Sequence, residues 1–449
     1  MIMNEIKNKP YNGYYLKPIP EDDFLLTKVG PGTPCGEYLR RYWQPFLLSS
    51  EVKDLPVATK LLGEELVVFR DKSGRLGLLH KYCAHRGVSL EFGIPAEKGI
   101  TCCYHGWNFD IDGTILETPA EPPTSRIKEN FSQGAYPVKE ENGLIFAYLG
   151  PPEYLPPFPH YDIWRHPAEN QLLPIRINIP CNWLQIVENG SDPIHNAYLH
   201  AIVAGQQFSK AFKVLPQLDF PMTPLGFLSM ATRKVGDYIF IRSSEIALPN
   251  VGHFPNGSNG ISGESFALKP LATRWAVAVD DHHSSFIGFI HKNEYNESVM
   301  QISPDECGVD KFPFIGQTAD RPYADRQREP GDFDALVSPG HIANRKIEHL
   351  GTTDRGVSLA RRLIAKAIRA VEQGETPELP RLNPNGFVNS FAHEIVIKAP
   401  DFPDHPEKLA LFGRQAAMVF VELSDLSPID REKKAEVIVR DILKNIMSN

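Results

Sequence analysis

Two groups of residues in this chain have the types and the spacing to hold metal. The first is Cys83-Ala84-His85-Arg86-Gly87, followed by Cys102-Cys103-Tyr104-His105-Gly106-Trp107. As spacing this is C-x-H, sixteen residues, then C-x2-H. Two thiolates and two imidazoles on two loops suit a [2Fe–2S] cluster in which histidines replace cysteines on one iron. Such a substitution raises the potential to about −150 to +300 mV, against about −400 mV for all-cysteine plant-type clusters. The same four ligands suit tetrahedral zinc, and residue types alone do not choose between the two. Cys102 and Cys103 also compete for one position.

The second group is Asn182-Trp183-Leu184-Gln185-Ile186-Val187-Glu188-Asn189-Gly190-Ser191-Asp192-Pro193-Ile194-His195-Asn196-Ala197-Tyr198-Leu199-His200. Asp192 and Pro193 make a good N-cap and first helical residue, so a helix is expected to restart there. On an ideal helix His195 and His200, five apart, are separated by about 140°. Their convergence on one ion therefore requires a local bulge or long-reach rotamers. By periodicity alone they are ordinary polar or packing histidines.

The flanking residues carry the reading further. The HRG after the first pair and the HGW after the second resemble the Rieske domain of ring-hydroxylating oxygenases. The string N-W-x-Q-x2-E-N-x2-D-x2-H-x4-H resembles the mononuclear-iron motif of the same Rieske oxygenases. The resemblance runs from about residue 25 to residue 375 and is nearest to oxygenase components of the phthalate 4,5-dioxygenase and dehydrodivanillate O-demethylase type. It implies that Cys83, His85, Cys102 and His105 bind the [2Fe–2S] cluster, with Cys103 a bystander where proline often sits. It also implies that His195, His200 and a distant aspartate bind Fe(II) as a two-histidine, one-carboxylate face with positions open to O2. Members of this type place the aspartate shortly before a stretch ending in R-x2-EHLG, here Arg345 to Gly351. Counting back lands on Asp332, with Asp334 the competitor and Val337 where a glutamate is usual. Either aspartate could instead cap a helix. Asp192 is implied as the catalytic carboxylate that bridges a cluster histidine of one subunit to an iron-bound histidine of the next; its ordinary alternative is an N-cap.

These groups need elements to position them. Short strands with turn punctuation are expected from about residue 46 to 150, including strands at 66–70, 76–79 and 144–149. A short helix is expected at 36–43. Beyond a proline-rich linker, a helical segment is expected near 182–203, strands at 226–233, 237–243, 273–280 and 284–290, and an amphipathic helix at 354–373. The stretches 248–264 and 303–340 read as long loops. This is an α+β chain: an N-terminal arm and helix at 1–40, an all-β Rieske domain at 41–155, and a catalytic domain at 156–449, which the resemblance makes a helix-grip fold of antiparallel sheet and helices.

The chain has 449 residues, 42% of them hydrophobic, enough for two or three cores. A net charge of −8 without blocks of one sign gives nucleic-acid binding no support. No apolar run is long enough to cross a membrane, no secretory signal is read in the first residues, and six cysteines suit a reducing cytoplasm. Gly30-Pro31-Gly32 reads as a turn and not as a nucleotide fingerprint. Electrons are therefore expected from a separate NAD(P)H-dependent reductase, with or without a ferredoxin. The resemblance implies a homotrimer or multiple of trimers that uses O2 on a small aromatic substrate, by monooxygenation such as O-demethylation or hydroxylation. The alternatives are a cis-dihydroxylating ring dioxygenase, a Rieske electron carrier without oxygenase activity, and a zinc-stabilised binding protein. Arg233 and Arg242, on expected strands, are read as surface salt-bridge residues or as holders of a substrate carboxylate.

Overall fold

Alternating apolar residues and tight turns between residues 44 and 147 fold into three small antiparallel sheets. The computed structural model describes residues 10–16, 20–203, 207–256, 261, 263–297 and 301–448. Strands Val57–Leu61, Glu64–Arg70 and Leu76–His80 form a meander. Gln44–Leu48 and Val138–Glu141 flank Leu144–Ala147. The last hairpin turns at Asn142 and Gly143, with φ of 51° and 83°, the positive pair that a two-residue turn matched to strand twist requires. The third sheet, four strands of two or three residues between Ile94 and Glu117, carries the Cys102–Trp107 loop, and the Cys83–Gly87 loop leads from the meander strand Leu76–His80 toward it.

Nine antiparallel strands between residues 171 and 398 build the second sheet. Its main order is Gln171–Ile179, Ser284–Lys292, Pro270–Ala278, Val251–Pro255, Tyr238–Ala247, Gly226–Val235 and Gln217–Asp219, and His393–Lys398 pairs with the far half of Tyr238–Ala247. Successive side chains alternate faces. Leu228, Met230, Ile239 and Ile241 turn away from the site and pack under the C-terminal helices Pro406–Glu422 and Pro428–Ser448. Elsewhere on that back face, Trp275 meets Trp164, Phe146 and Phe289. One apolar cluster thus runs from the small sheets into the large one. The opposite face is covered by helix Trp183–Gly190, against which Arg355–Glu372 packs in turn.

The expected strands and the long amphipathic helix are present, and the first helix is Pro34–Leu39, capped by Thr33. Two expectations are corrected. The stretch 303–340 contains helices Tyr323–Arg328 and Asp332–Val337, and 248–264 contains strand Val251–Pro255, with 257–260 and 262 outside the described residues. Residues 1–9 and 17–19 of the expected N-terminal arm also lie outside them. No helix among the described residues is long and apolar enough to cross a membrane.

Candidate metal centres

The two cysteine–histidine loops are built alike. The carbonyl of Cys83 accepts from the Gly87 N–H at 2.8 Å, and that of Cys102 from the Gly106 N–H at 3.1 Å. Both glycines have φ of 73°, a left-handed conformation that costs other residues strain. The matching turns send both thiols inward and leave both imidazoles half-buried at the tip. Cys83 and Cys102 are 4% and 3% exposed, whereas Cys103 is exposed. Burial and the neighbouring Cys102 push the Cys83 thiol up to about 11. The rings of His85 and His105 lie 4.6 Å apart, and His85 stacks on Trp107 at 4.3 Å. From below, the Gln133 amide accepts from the Ala84 N–H at 2.7 Å and donates to the carbonyls of His80 and Tyr82. Two inward thiols and two neighbouring imidazoles fit a histidine-substituted [2Fe–2S] cluster.

The Asn, Gln and Glu residues that open the second string have partners in the structure. Asn182 caps Trp183–Gly190 by accepting from the Leu184 N–H at 3.2 Å. Gln185 donates to the carbonyls of Leu336 and Gly340 and accepts from the Ala343 N–H, which clamps this helix to Asp332–Val337. Glu188 pairs with Arg345 at 2.9 Å and with Arg361 at 2.7 Å, and Arg361 reaches Glu348 at 2.6 Å. The stretch used to count back to Asp332 is thus tied to the histidine segment.

The helix after Asp192 starts at His195 and not at Pro193, and over Tyr198–Ile202 it widens into a π turn, with the Val203 N–H on the Tyr198 carbonyl at 2.8 Å. This i→i+5 bonding is the bulge the five-residue spacing demands. It brings the two rings within 5.4 Å. One ligand atom each from His195, His200 and Asp332 lies within 4.8 Å of the others. Asp332 Oδ1 stands 3.7 Å from His195 Nε2 and 3.3 Å from His200 Nε2. Asp334 stands apart, accepting from the Gly331 N–H at 3.0 Å and pairing with Arg326 at 2.6 Å.

Neighbours fix each of the three. His200 Nδ1 donates to Gln207 Oε1 at 2.7 Å, which leaves Nε2 free to coordinate. Asn189 donates to Asp332 Oδ1 at 3.2 Å, and Gln317 donates to Oδ2. Burial opposes charge on Asp332, but His200, His195 and Gln317 outweigh it and hold the carboxyl well below the usual range. Asp192 Oδ1 accepts from the Ile194 N–H at 2.9 Å, as a cap would, while Oδ2 lies 3.7 Å from His195 Nδ1. That nitrogen is buried and has no hydrogen-bond partner among the described residues. Two imidazoles and one carboxylate suit a two-histidine, one-carboxylate Fe(II) face.

A cavity opens over this triad, walled by Phe208, Phe254, Leu271 and Phe314. The surface salt-bridge reading of Arg233 and Arg242 is corrected: they are 1% and 8% exposed, and Arg242 borders the cavity. Sequence reasoning also missed Gln207, Asn189, Arg274 and Gln317. Asn189 lies inside the quoted string, and the other three carry no local signal.

A Rieske [2Fe-2S] domain model matches residues 42–134. The oxygenase subunit of tert-butanol monooxygenase / tert-amyl alcohol desaturase from Aquincola tertiaricarbonis is 44% identical over 375 residues, covering 80% of this chain and 79% of its own. The alpha subunit of phenoxybenzoate dioxygenase from Ectopseudomonas oleovorans is 39% identical over 372 residues, covering 79% and 87%. The crystal structure of dicamba monooxygenase bound to dicamba has the same fold, with a TM-score of 0.55 at 18% identity over 75% of this chain and 99% of that one.

Proposed function

The chain belongs to the Rieske non-haem iron oxygenases as an oxygenase (alpha) component, and from that membership we propose how its residues divide the work. The protein is a terminal oxygenase with a [2Fe–2S] cluster and a mononuclear iron. Cys83, His85, Cys102 and His105 hold the cluster within residues 41–155. His195, His200 and Asp332 hold Fe(II) within residues 156–449. When bound, the cluster supplies single electrons and the iron supplies a site that activates O2.

The observation that supports this reading best is that two imidazoles and one carboxylate lie within 4.8 Å of one another below an aromatic-walled cavity. Gln207 sets the tautomer of His200, Asn189 and Gln317 orient Asp332, and Phe208 and Phe314 keep water from the substrate face. Asp192, 3.7 Å from His195 Nδ1, is the carboxylate placed to orient that ring and to link it to a cluster histidine of an adjoining subunit. The substrate is a small aromatic compound, oxidised by monooxygenation such as O-demethylation or hydroxylation. Electrons come from a separate reductase, directly or through a ferredoxin, and the enzyme works in the cytoplasm as a trimer or multiple of trimers. Dihydroxylation is the second reading, favoured by likeness to a relative named as a dioxygenase.

Incubation with ¹⁸O₂, a surrogate reductase and a panel of methoxyarenes and aromatic acids tests the proposal. One oxygen atom from O2 is expected per turnover, in the new hydroxyl of a hydroxylated arene or, for O-demethylation, in formaldehyde trapped before it exchanges with water, the phenol keeping its own oxygen. Two labelled oxygens in one product would favour dihydroxylation, and O2 consumption with neither a labelled arene nor formaldehyde formed from any aromatic compound would contradict the substrate class.

A further inference from the structure

Two guanidinium groups border the cavity that holds His195, His200 and Asp332. Arg242 lies on Tyr238–Ala247 and Arg274 on Pro270–Ala278, and strand alternation turns both to the site face together with Ser244 and Ala272. Arg242 donates to Ser244 Oγ at 3.2 Å and to the Pro255 carbonyl at 2.8 Å. Arg274 donates to Gln317 Oε1 at 3.3 Å and lies over the Phe286 ring at 3.9 Å, with Phe254 and Phe312 at 5.1 and 5.0 Å. The Nε of each is buried and has no hydrogen-bond partner among the described residues. Among the described residues neither has a carboxylate within 4.0 Å.

Burial lowers both to about 10, so both stay cationic at neutral pH. Buried cations without paired anions are unfavourable unless something supplies the anion. Glu394, buried and directly opposite Arg242 on the neighbouring strand, attracts Arg242 without an ion pair within 4.0 Å and accepts from Tyr295 Oη at 2.9 Å. Asp332 attracts Arg274, but Asp332 Oδ1 already faces the two histidines. The stacked phenyl rings stabilise the guanidinium faces and leave donor edges for an in-plane acceptor. A planar donor fork matches a carboxylate, which it can bind through two parallel hydrogen bonds. The walls contributed by Phe208, Phe254 and Phe314 suit the ring that carries it.

We infer that the substrate is an arene carboxylate, with its carboxylate held by Arg242 and Arg274 and its ring turned toward the mononuclear iron site. The inference rests on the oxygenase reading of the cavity and narrows it. Gln317 joins the two functions, since its carbonyl accepts from Arg274 and its amide donates to Asp332 Oδ2. An anion on Arg274 therefore bears, through one side chain, on the carboxylate expected to bind iron.

The test is anaerobic titration calorimetry of the loaded enzyme with benzoate and 4-methoxybenzoate, each against its neutral carboxamide. The carboxylates are expected to bind about tenfold or more tightly than the amides. Arg242→Gln and Arg274→Gln should each remove most of that preference while amide binding changes less than about twofold, and Arg274→Lys should restore part of it. Amide binding by the same variant shows that the cavity is intact, and the wild-type comparison needs no variant. Equal affinity for acid and amide, equal loss of both in the variants, or no carboxylate binding would overturn the inference. Labelling with ¹⁸O₂ separates the two readings. Neutral arenes that bind as well as acids and gain label would sink the anion site and leave the oxygenase standing. A carboxylate preference with neither a labelled arene nor formaldehyde formed would do the reverse.

Discussion

The two oxygens of Asp332 have different tasks. Oδ1 faces His195 and His200, while Oδ2 takes the Gln317 amide. Gln317→Leu removes that donor and should weaken iron binding about 10–100-fold, the usual cost of losing a partner of a metal ligand. Iron titration of apoprotein checks this, and unchanged affinity would remove Gln317 from the centre. Asp192 permits a cleaner separation of roles. Asp192→Asn keeps the oxygen that accepts from Ile194 but removes the charge beside His195. Stability and both metal centres should persist, while reoxidation of the reduced cluster, with substrate and O2 present, slows roughly tenfold or more. Reoxidation at the wild-type rate would leave Asp192 a cap. The cysteine–histidine loops and the histidine string were legible because each lies in one short run of sequence. Asp332 was reachable only by spacing, with Asp334 open, because a carboxylate over a hundred residues away has no local signature. Gln207, Gln317 and Arg274 were invisible, since folding alone decides what their side chains meet.

Among the elements, the long strands of the large sheet are buried on both faces and were legible as mainly apolar runs bounded by turn residues such as Gly236 and Asp280. Gln171–Ile179 was not, because Pro174 interrupts it, and that proline is tolerated because the strand lies at the sheet edge. Asp332–Val337 and Tyr323–Arg328 are six residues each, too short for a helical period to show. The C-terminal helices lay beyond the recognisable motifs, yet they are fixed by a buried ion pair. Arg431, fully buried, meets Asp162 at 3.0 Å and the Ser390 carbonyl at 2.8 Å. Ser390 Oγ in turn donates to Glu245 on the large sheet at 2.9 Å. Arg431→Ala leaves Asp162 buried without its partner and should cost about 3–5 kcal/mol. A clear fall in melting temperature is expected, with a smaller fall when Asp162 and Arg431 are both replaced by apolar residues. A melting temperature within error of wild type would show that the pair does not hold the helices.

At the scale of the molecule, an all-β unit and a large antiparallel sheet share one continuous apolar cluster, so the two candidate centres sit on a single packed body. The fold class was legible because two motifs in order imply both units, whereas their common core was not, since it depends on Phe146 and Trp275 meeting across long sequence separation. The central claim is that these units carry different iron centres on the residues named. Iron, zinc and acid-labile sulfide should therefore be counted per chain in anaerobically purified wild type and in Asp332→Ala and Asp334→Ala. Two irons and two sulfides belong to the cluster and one further iron to the mononuclear site. Asp332→Ala is expected to lose only the last, because two imidazoles alone bind Fe(II) weakly, and Asp334→Ala to keep all three irons. Stoichiometric zinc without sulfide, or an Asp332→Ala protein that retains the third iron, would contradict the account.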